Sequence, residues 1–143
     1  MLSPETILHA TSVAYEGRAV LIMGPSGSGK SALALDLISR GAQLVSDDRT
    51  VVTREGDGLI AGAPDAIAGL IEARGIGILN APTAGPTPLT LAVELSETET
   101  ARLPQTHSIS VLERPLRCLR RVEAAHFPAA ILLCLSHGIS DPT

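Results

Sequence analysis

One loop constrains this chain more than any other feature. Gly24-Pro25-Ser26-Gly27-Ser28-Gly29-Lys30-Ser31 matches the pattern GxxxxGK[ST], follows the apolar run AVLIM and opens a helical pattern. Glycines at this spacing let successive backbone N–H groups turn inward as a concave nest for phosphate oxygens. The start of the following helix adds its positive dipole end. Lys30 is the only lysine among eleven basic residues, the rest being arginines. A compact ammonium on a flexible stem can reach the β- and γ-phosphates and follow a transferring group, which arginine's rigid fork does less well. Ser31 would direct its hydroxyl to Mg2+. A strand–loop–helix unit of this kind commits the chain to an α/β architecture with the loop strand inside a sheet.

The rest of the composition is compatible with that core. Of 143 residues, 45% are hydrophobic, with no Trp, one Tyr (Tyr15) and one Phe (Phe127), so the core must be aliphatic. Runs of Val, Ile, Leu and Ala suit strands covered on both faces. The length predicts one domain over 1–143, with the motif-bearing part at 7–82 and a less defined part at 83–143. A net charge of −4 argues against general binding to nucleic acid or anionic membrane. Cys118 and Cys134 lack CxxC spacing and read as reduced core thiols of a cytoplasmic protein. No run is long and apolar enough to span a bilayer, and the N-terminus lacks signal-peptide character.

Patterning along the chain predicts strands at Ile7–Tyr15 and Arg18–Met23, joined by a Glu16-Gly17 turn. A helix over Lys30–Arg40 places Leu33, Leu37 and Ile38 on one side and ends before Gly41 at C′. A short strand, Ala42–Ser46, leads into Asp47-Asp48, and a second hairpin turns at REGDG. GLIEARGIGILNAP, with glycines at 75 and 77, is expected to be a strand flanked by a backbone bend. Leu89–Leu95 reads as a buried strand, Ser96–His107 as a polar mobile loop and SISVL as a strand. LRCLRRV is ambiguous between strand and helix, and Pro128–His137 is a closing helix capped by Gly138.

Phosphate binding alone does not name a reaction. A metal-holding carboxylate at the tip of a neighbouring strand is the usual companion of this loop, and Asp47-Asp48 arrives one helix and one strand later. A right-handed βαβ unit would bring the pair beside the cradle. One carboxylate could stand near the metal and the other near an attacking hydroxyl as general base; the sequence does not separate them.

With HATSVAYEGRAVLIMGPSGSGKSALALDLISRGAQLVSDD and GLIEARGIGIL together, the chain resembles bacterial HPr kinase/phosphorylase, specifically the C-terminal catalytic domain in its short, single-domain form. The resemblance is continuous from about His9 to Leu79. It implies a P-loop architecture like that of PEP carboxykinase, with a mixed sheet. It also implies ATP-dependent phosphorylation of a serine on HPr, the phosphocarrier of the sugar phosphotransferase system, reversible by phosphorolysis to pyrophosphate. By position, the resemblance makes His9, Lys30, one of Asp47 and Asp48, and Arg102 catalytic. The loop Gly24–Ser31 would bind ATP, or pyrophosphate and inorganic phosphate. Ser31, Glu72 and Asp48 would serve Mg2+, and relatives assemble as hexamers. Three features depart from the family pattern: Ala32 replaces a glutamate, Asn80 replaces an aspartate, and no segment like PVRPGRN is present. In its place stands ERPLRCLRRVE, read as a solvated, salt-bridged face or a surface for an acidic partner.

Two other readings use the same loop. A small-molecule kinase of the shikimate or gluconate type also places an Asp after the next strand, but it would add an arginine-rich lid. A non-catalytic ATP-sensing regulatory module would keep the cradle without turnover.

Overall fold

The computed structural model describes residues 4–140. Its strands are β1 (Glu5–Leu8), β2 (Ala10–Tyr15), β3 (Arg18–Met23), β4 (Gln43–Ser46), β5 (Thr50–Glu55), β6 (Gly58–Gly62), β7 (Leu70–Ala73), β8 (Gly77–Asn80), β9 (Thr87–Thr98), β10 (Ser108–Val111) and β11 (Arg114–Arg121). Two α-helices, α1 (Lys30–Ser39) and α2 (Phe127–His137), and a short 3-10 turn at Asp65–Ile67 accompany them.

The large sheet runs β1-β5-β6-β9-β3-β2-β4, with β11 also paired to β9 and β10 to β11. It is mixed: β9 lies parallel to β3 and to β11, and the other pairings are antiparallel. Strand β9 supports both halves of the sheet. Its first residues meet β6, its middle meets β3 and its later residues meet β11.

Local sequence explains the elements. The β2–β3 hairpin closes through Glu16 and Gly17 at φ 50° and 79°, the two-residue turn whose twist matches its strands. Helix α1 ends in paired bonds from Gly41 N–H to Ile38 C=O and from Ala42 N–H to Leu37 C=O. This is a Schellman closure, and Gly41 adopts the left-handed φ of 109° that it requires. The ambiguous LRCLRRV segment is strand β11, because alternate residues Leu116 and Cys118 are buried.

Three expectations need correction. First, β4 does not sit beside β3; β2 lies between them, antiparallel to both. The short hairpin fills the edge of β3 before α1 returns the chain, so β4 runs in the direction of β3 one strand further out. Second, GLIEARGIGILNAP is not a single strand flanked by a bend but the separate hairpin β7–β8, which turns over Arg74-Gly75-Ile76. Gly75 and Gly77 take φ of 86° and 141°, which reverse the chain rather than bend it. Third, β9 continues to Thr98, past the expected end at Leu95.

Residues Ala19, Val20, Leu21 and Ile22 of β3 are completely buried, as a strand covered on both faces requires. On one face Val20 and Ile22 join Leu37 of α1 and Ile131 and Leu135 of α2. On the other, Ala19 and Leu21 meet Val52, Leu59, Ala61 and Leu116, supplied by the curling sheet itself. Among the described residues, no helix is long and apolar enough to cross a membrane.

Candidate active site

Antiparallel β2 and parallel β9 and β11 fix which chain ends meet. The carboxyl ends of β3, β4, β9 and β11 and the amino end of β2 lie together, since Met23 pairs with both Ala10 and Glu94. A cleft of about 580 Å³ opens there, lined among others by His9, Lys30, Ser31, Asp47, Asp48 and Glu72. Ligands of open α/β sheets bind beyond the carboxyl ends of the strands, and this cleft occupies that place.

The glycine loop is shaped by its own sequence. Gly24, Gly27 and Gly29 have φ of 150°, 82° and 99°. At Gly24 space is short as well, because a Cβ would lie 2.5 Å from Ser28 Oγ. The buried Lys30 folds back so that Nζ donates to Gly24 C=O at 2.8 Å and Pro25 C=O at 3.2 Å. The ammonium is thus held over the nest by weak acceptors that a phosphate would outcompete. Ser28 Oγ is buried without a hydrogen-bond partner.

The two aspartates separate cleanly. Asp47 Oδ1 accepts from Ser31 Oγ at 2.7 Å and from Thr11 Oγ1 at 3.0 Å, and its Oδ2 accepts from Glu72 N–H at 2.9 Å. Asp47 is therefore fixed against the loop serine, with Glu72 beside it. Asp48 turns away from that group, and its Oδ1 lies 2.6 Å from Nε2 of His9, with both side chains more than half exposed to the cleft. Its backbone sits at φ 66°, a left-handed conformation that aspartate tolerates better than most residues. Its N–H donates to Thr11 Oγ1 at 3.1 Å.

Two contributors were not singled out in the sequence. Thr11, fully buried on β2, bonds to both aspartates. Arg121, at the end of β11, donates Nη2 to Ser28 C=O and Nε to Leu95 C=O at 3.2 Å, tying the glycine loop to the sheet. The arginine-rich segment is thus partly internal. Arg120 does pair outward with Glu97 at 3.0 Å. A faint signal existed for Arg121, since consecutive arginines on a strand must face opposite ways. Arg102 is exposed on segment 99–107 and is not among the residues lining the cleft.

The cleft suits a magnesium nucleotide. Among the described residues, no cluster of three His, Cys, Asp or Glu is arranged to hold a metal by itself. Mg2+ needs no such cage, because one or two carboxylates plus substrate phosphates normally bind it. Ser31, Asp47 and Glu72 offer a hydroxyl and two carboxylates beside the phosphate nest.

Comparison with known proteins gives a consistent picture. The family model described as the HPr serine kinase C-terminal domain matches residues 1–102. HPr kinase/phosphorylase of Clostridium botulinum (strain Eklund 17B / Type B) is 50% identical over 80 residues, which is 55% of this chain and 26% of the relative. That of Bacillus velezensis is 47% identical over 83 residues, 57% of this chain and 27% of the relative. The match therefore spans about a quarter of the curated relatives' length. The structure of the Hpr(Ser) kinase/phosphatase from Coxiella burnetii aligns with a TM-score of 0.75 at 25% identity, covering 89% of this chain and 86% of that one.

Proposed function

We propose that this chain, which belongs to the HPr serine kinase C-terminal domain family, transfers a phosphoryl group from ATP to a serine of an HPr-like phosphocarrier protein. The observation that carries this reading is the separation of Asp47 from Asp48. One carboxylate is fixed against Ser31 and the glycine loop, and the other is paired with His9 where an acceptor hydroxyl can reach it.

Each residue then has a task. Backbone N–H groups of the loop from Ser26 to Ser31 bind the β- and γ-phosphates, and Lys30 leaves its loop carbonyls to neutralise the charge that develops on them. Ser31, Glu72 and Asp47, rather than the Asp48 that the resemblance implied, would hold Mg2+, which would supply charge neutralisation to the phosphates. Asp48 takes the proton of the acceptor serine as its oxygen bonds to the γ-phosphorus and the bond to the β-phosphate oxygen breaks. His9 orients Asp48 through their 2.6 Å contact. Dephosphorylation uses the same groups: an oxygen of inorganic phosphate bonds to the phosphorus of phosphoserine, the bond from that phosphorus to the serine oxygen breaks as Asp48 returns the proton to it, and pyrophosphate is released. Arg102, on an exposed loop outside the cleft, enters this scheme only if that loop approaches the bound acceptor. No observation favours a small-molecule kinase or a non-catalytic sensor over this reading.

The test is direct. The purified chain, its own organism's HPr, ATP and Mg2+ should yield HPr with one phosphoserine located by mass spectrometry, and Lys30→Ala should abolish it. Label appearing on small polyols or acids instead of HPr, or unchanged transfer by Lys30→Ala, would overturn the reading.

A further inference from the structure

We infer that Thr11 is a positioning residue whose hydroxyl sets the division of labour between Asp47 and Asp48; the inference rests on the phosphoryl-transfer reading of the cleft. Thr11 is fully buried in a strand whose other inward positions are apolar or small, so its hydroxyl needs a reason to be there. Valine would fill the same space in a β-strand and bury no polar atom.

The hydroxyl is used at both ends. It donates its proton to Asp47 Oδ1 at 3.0 Å and accepts the Asp48 N–H at 3.1 Å. A hydroxyl carries one proton and two lone pairs, so both bonds form together. One bond orients the carboxylate beside Ser31. The other holds the backbone of Asp48 at φ 66°, a conformation that costs energy unless its surroundings fix it. That backbone turn sends consecutive side chains to different partners, Asp47 to Ser31 and Asp48 to His9. In an extended backbone, adjacent residues would also diverge, but Asp48 would lose its approach to His9.

The placement is economical in chain terms. His9 immediately precedes β2 and Thr11 lies within it, so one strand end supplies both the partner of the Asp48 carboxylate and the anchor of its N–H. Ser46 and Arg49 close the turn from outside, through Ser46 Oγ to Arg49 C=O and Arg49 N–H to Asp47 C=O at 2.7 Å. Neither of those bonds touches a carboxylate. Among the described residues, only Thr11 joins the turn geometry to the charged groups that use it.

The experiment compares Thr11→Val, which keeps the shape, with Thr11→Ser, which keeps the hydroxyl. Two quantities are read: hydrogen exchange of the Asp48 amide by NMR, and kcat and KM for phosphoryl transfer from ATP to HPr. In Thr11→Val we expect Asp48 amide exchange to rise about tenfold or more and kcat to fall about ten- to a hundredfold, the scale of one lost hydrogen bond to a charged group. KM for ATP should stay within about threefold, because the glycine loop is untouched, and Thr11→Ser should recover both quantities. Thr11→Ala reads the same quantities if the valine variant does not fold. Unchanged Asp48 exchange in Thr11→Val, or a serine variant as impaired as the valine one, would overturn the positioning role. A wild-type chain that transfers nothing to HPr would instead sink the phosphoryl-transfer reading, while the exchange comparison still decides whether Thr11 fixes the turn.

Discussion

At the scale of single residues, the cleft assigns different consequences to neighbouring carboxylates. In the proposed scheme, Asp48→Asn removes the proton acceptor while leaving the nucleotide contacts in place. We expect kcat for HPr phosphorylation to fall about a hundred- to ten-thousandfold with ATP affinity nearly unchanged, as loss of general-base catalysis demands. Asp47→Asn removes the charge beside Ser31, so its defect should appear as a higher Mg2+ requirement, measured by titrating Mg2+ at fixed ATP. Equal Mg2+ dependence in the two variants would contradict the assignment. Arg121→Met, which frees Ser28 C=O and Leu95 C=O, should weaken nucleotide binding about tenfold, read by equilibrium titration. Lys30 and the aspartate pair were singled out because a phosphate cradle and its companion carboxylate call for those residue types, and His9 only through the family resemblance; the fold brings all four to one cleft. Thr11 and Arg121 were not, because their roles depend on partners at Asp47 and Ser28 that only the sheet brings near. A threonine in a strand pattern carries no local mark of such contacts, and paired arginines on a strand say only that one of them faces inward, not what it meets.

Secondary elements were legible where turn chemistry is explicit. Glu16-Gly17 and Gly56-Asp57 announced their hairpins, and Gly41 announced the end of α1. The β10–β11 hairpin shows what such signals miss. Its two-residue turn is Leu112-Glu113, with both residues at positive φ, 49° and 65°, and no glycine or asparagine to mark it. Left-handed backbone at ordinary residues costs roughly 1–2 kcal/mol each, of which glycine recovers part after its own entropy loss. Glu113 is exposed, whereas Leu112 packs against the core and its C=O accepts from Arg54 at 3.2 Å. Glu113→Gly should therefore stabilise the fold by about 0.5–1 kcal/mol, a rise of about 2–4 °C in Tm by calorimetry. A lower Tm would show that the turn does not strain Glu113. The insertion of β2 between β3 and β4 was illegible for a related reason: a hairpin's length is local, but which sheet edge it fills is a competition among strands.

At the scale of the whole molecule, the aliphatic composition foretold a doubly covered strand but not what covers it. Helices α1 and α2 cover one face, and the sheet's own curl covers the other, which depends on β9 pairing with β3, β6 and β11 along its length. The free thiols fit that interior, since burial pushes Cys118 and Cys134 above their ordinary 9.0 and keeps them poor nucleophiles. Where β9 leaves the sheet, Glu99 ties the chain down. Its N–H donates to Arg121 C=O at 2.8 Å, and its carboxylate accepts from the N–H groups of Thr100 and Ala101 and contacts His107. The Ala101 N–H above all holds the Glu99 carboxyl below its ordinary 4.5; burial, the next largest effect, opposes it, and the His107 side chain and the Thr100 N–H add to the lowering. A carboxyl whose folded value is depressed adds stability that is fully present above its unfolded value. That stability drains away as pH falls through the folded value. Urea midpoints of the wild type and Glu99→Gln, followed from pH 7 downwards, should therefore keep a constant gap until about pH 4.5 and converge below it. Parallel curves through the acid range would mean that the contacts of Glu99 do not depend on its charge, and that segment 99–107 is held by its backbone alone.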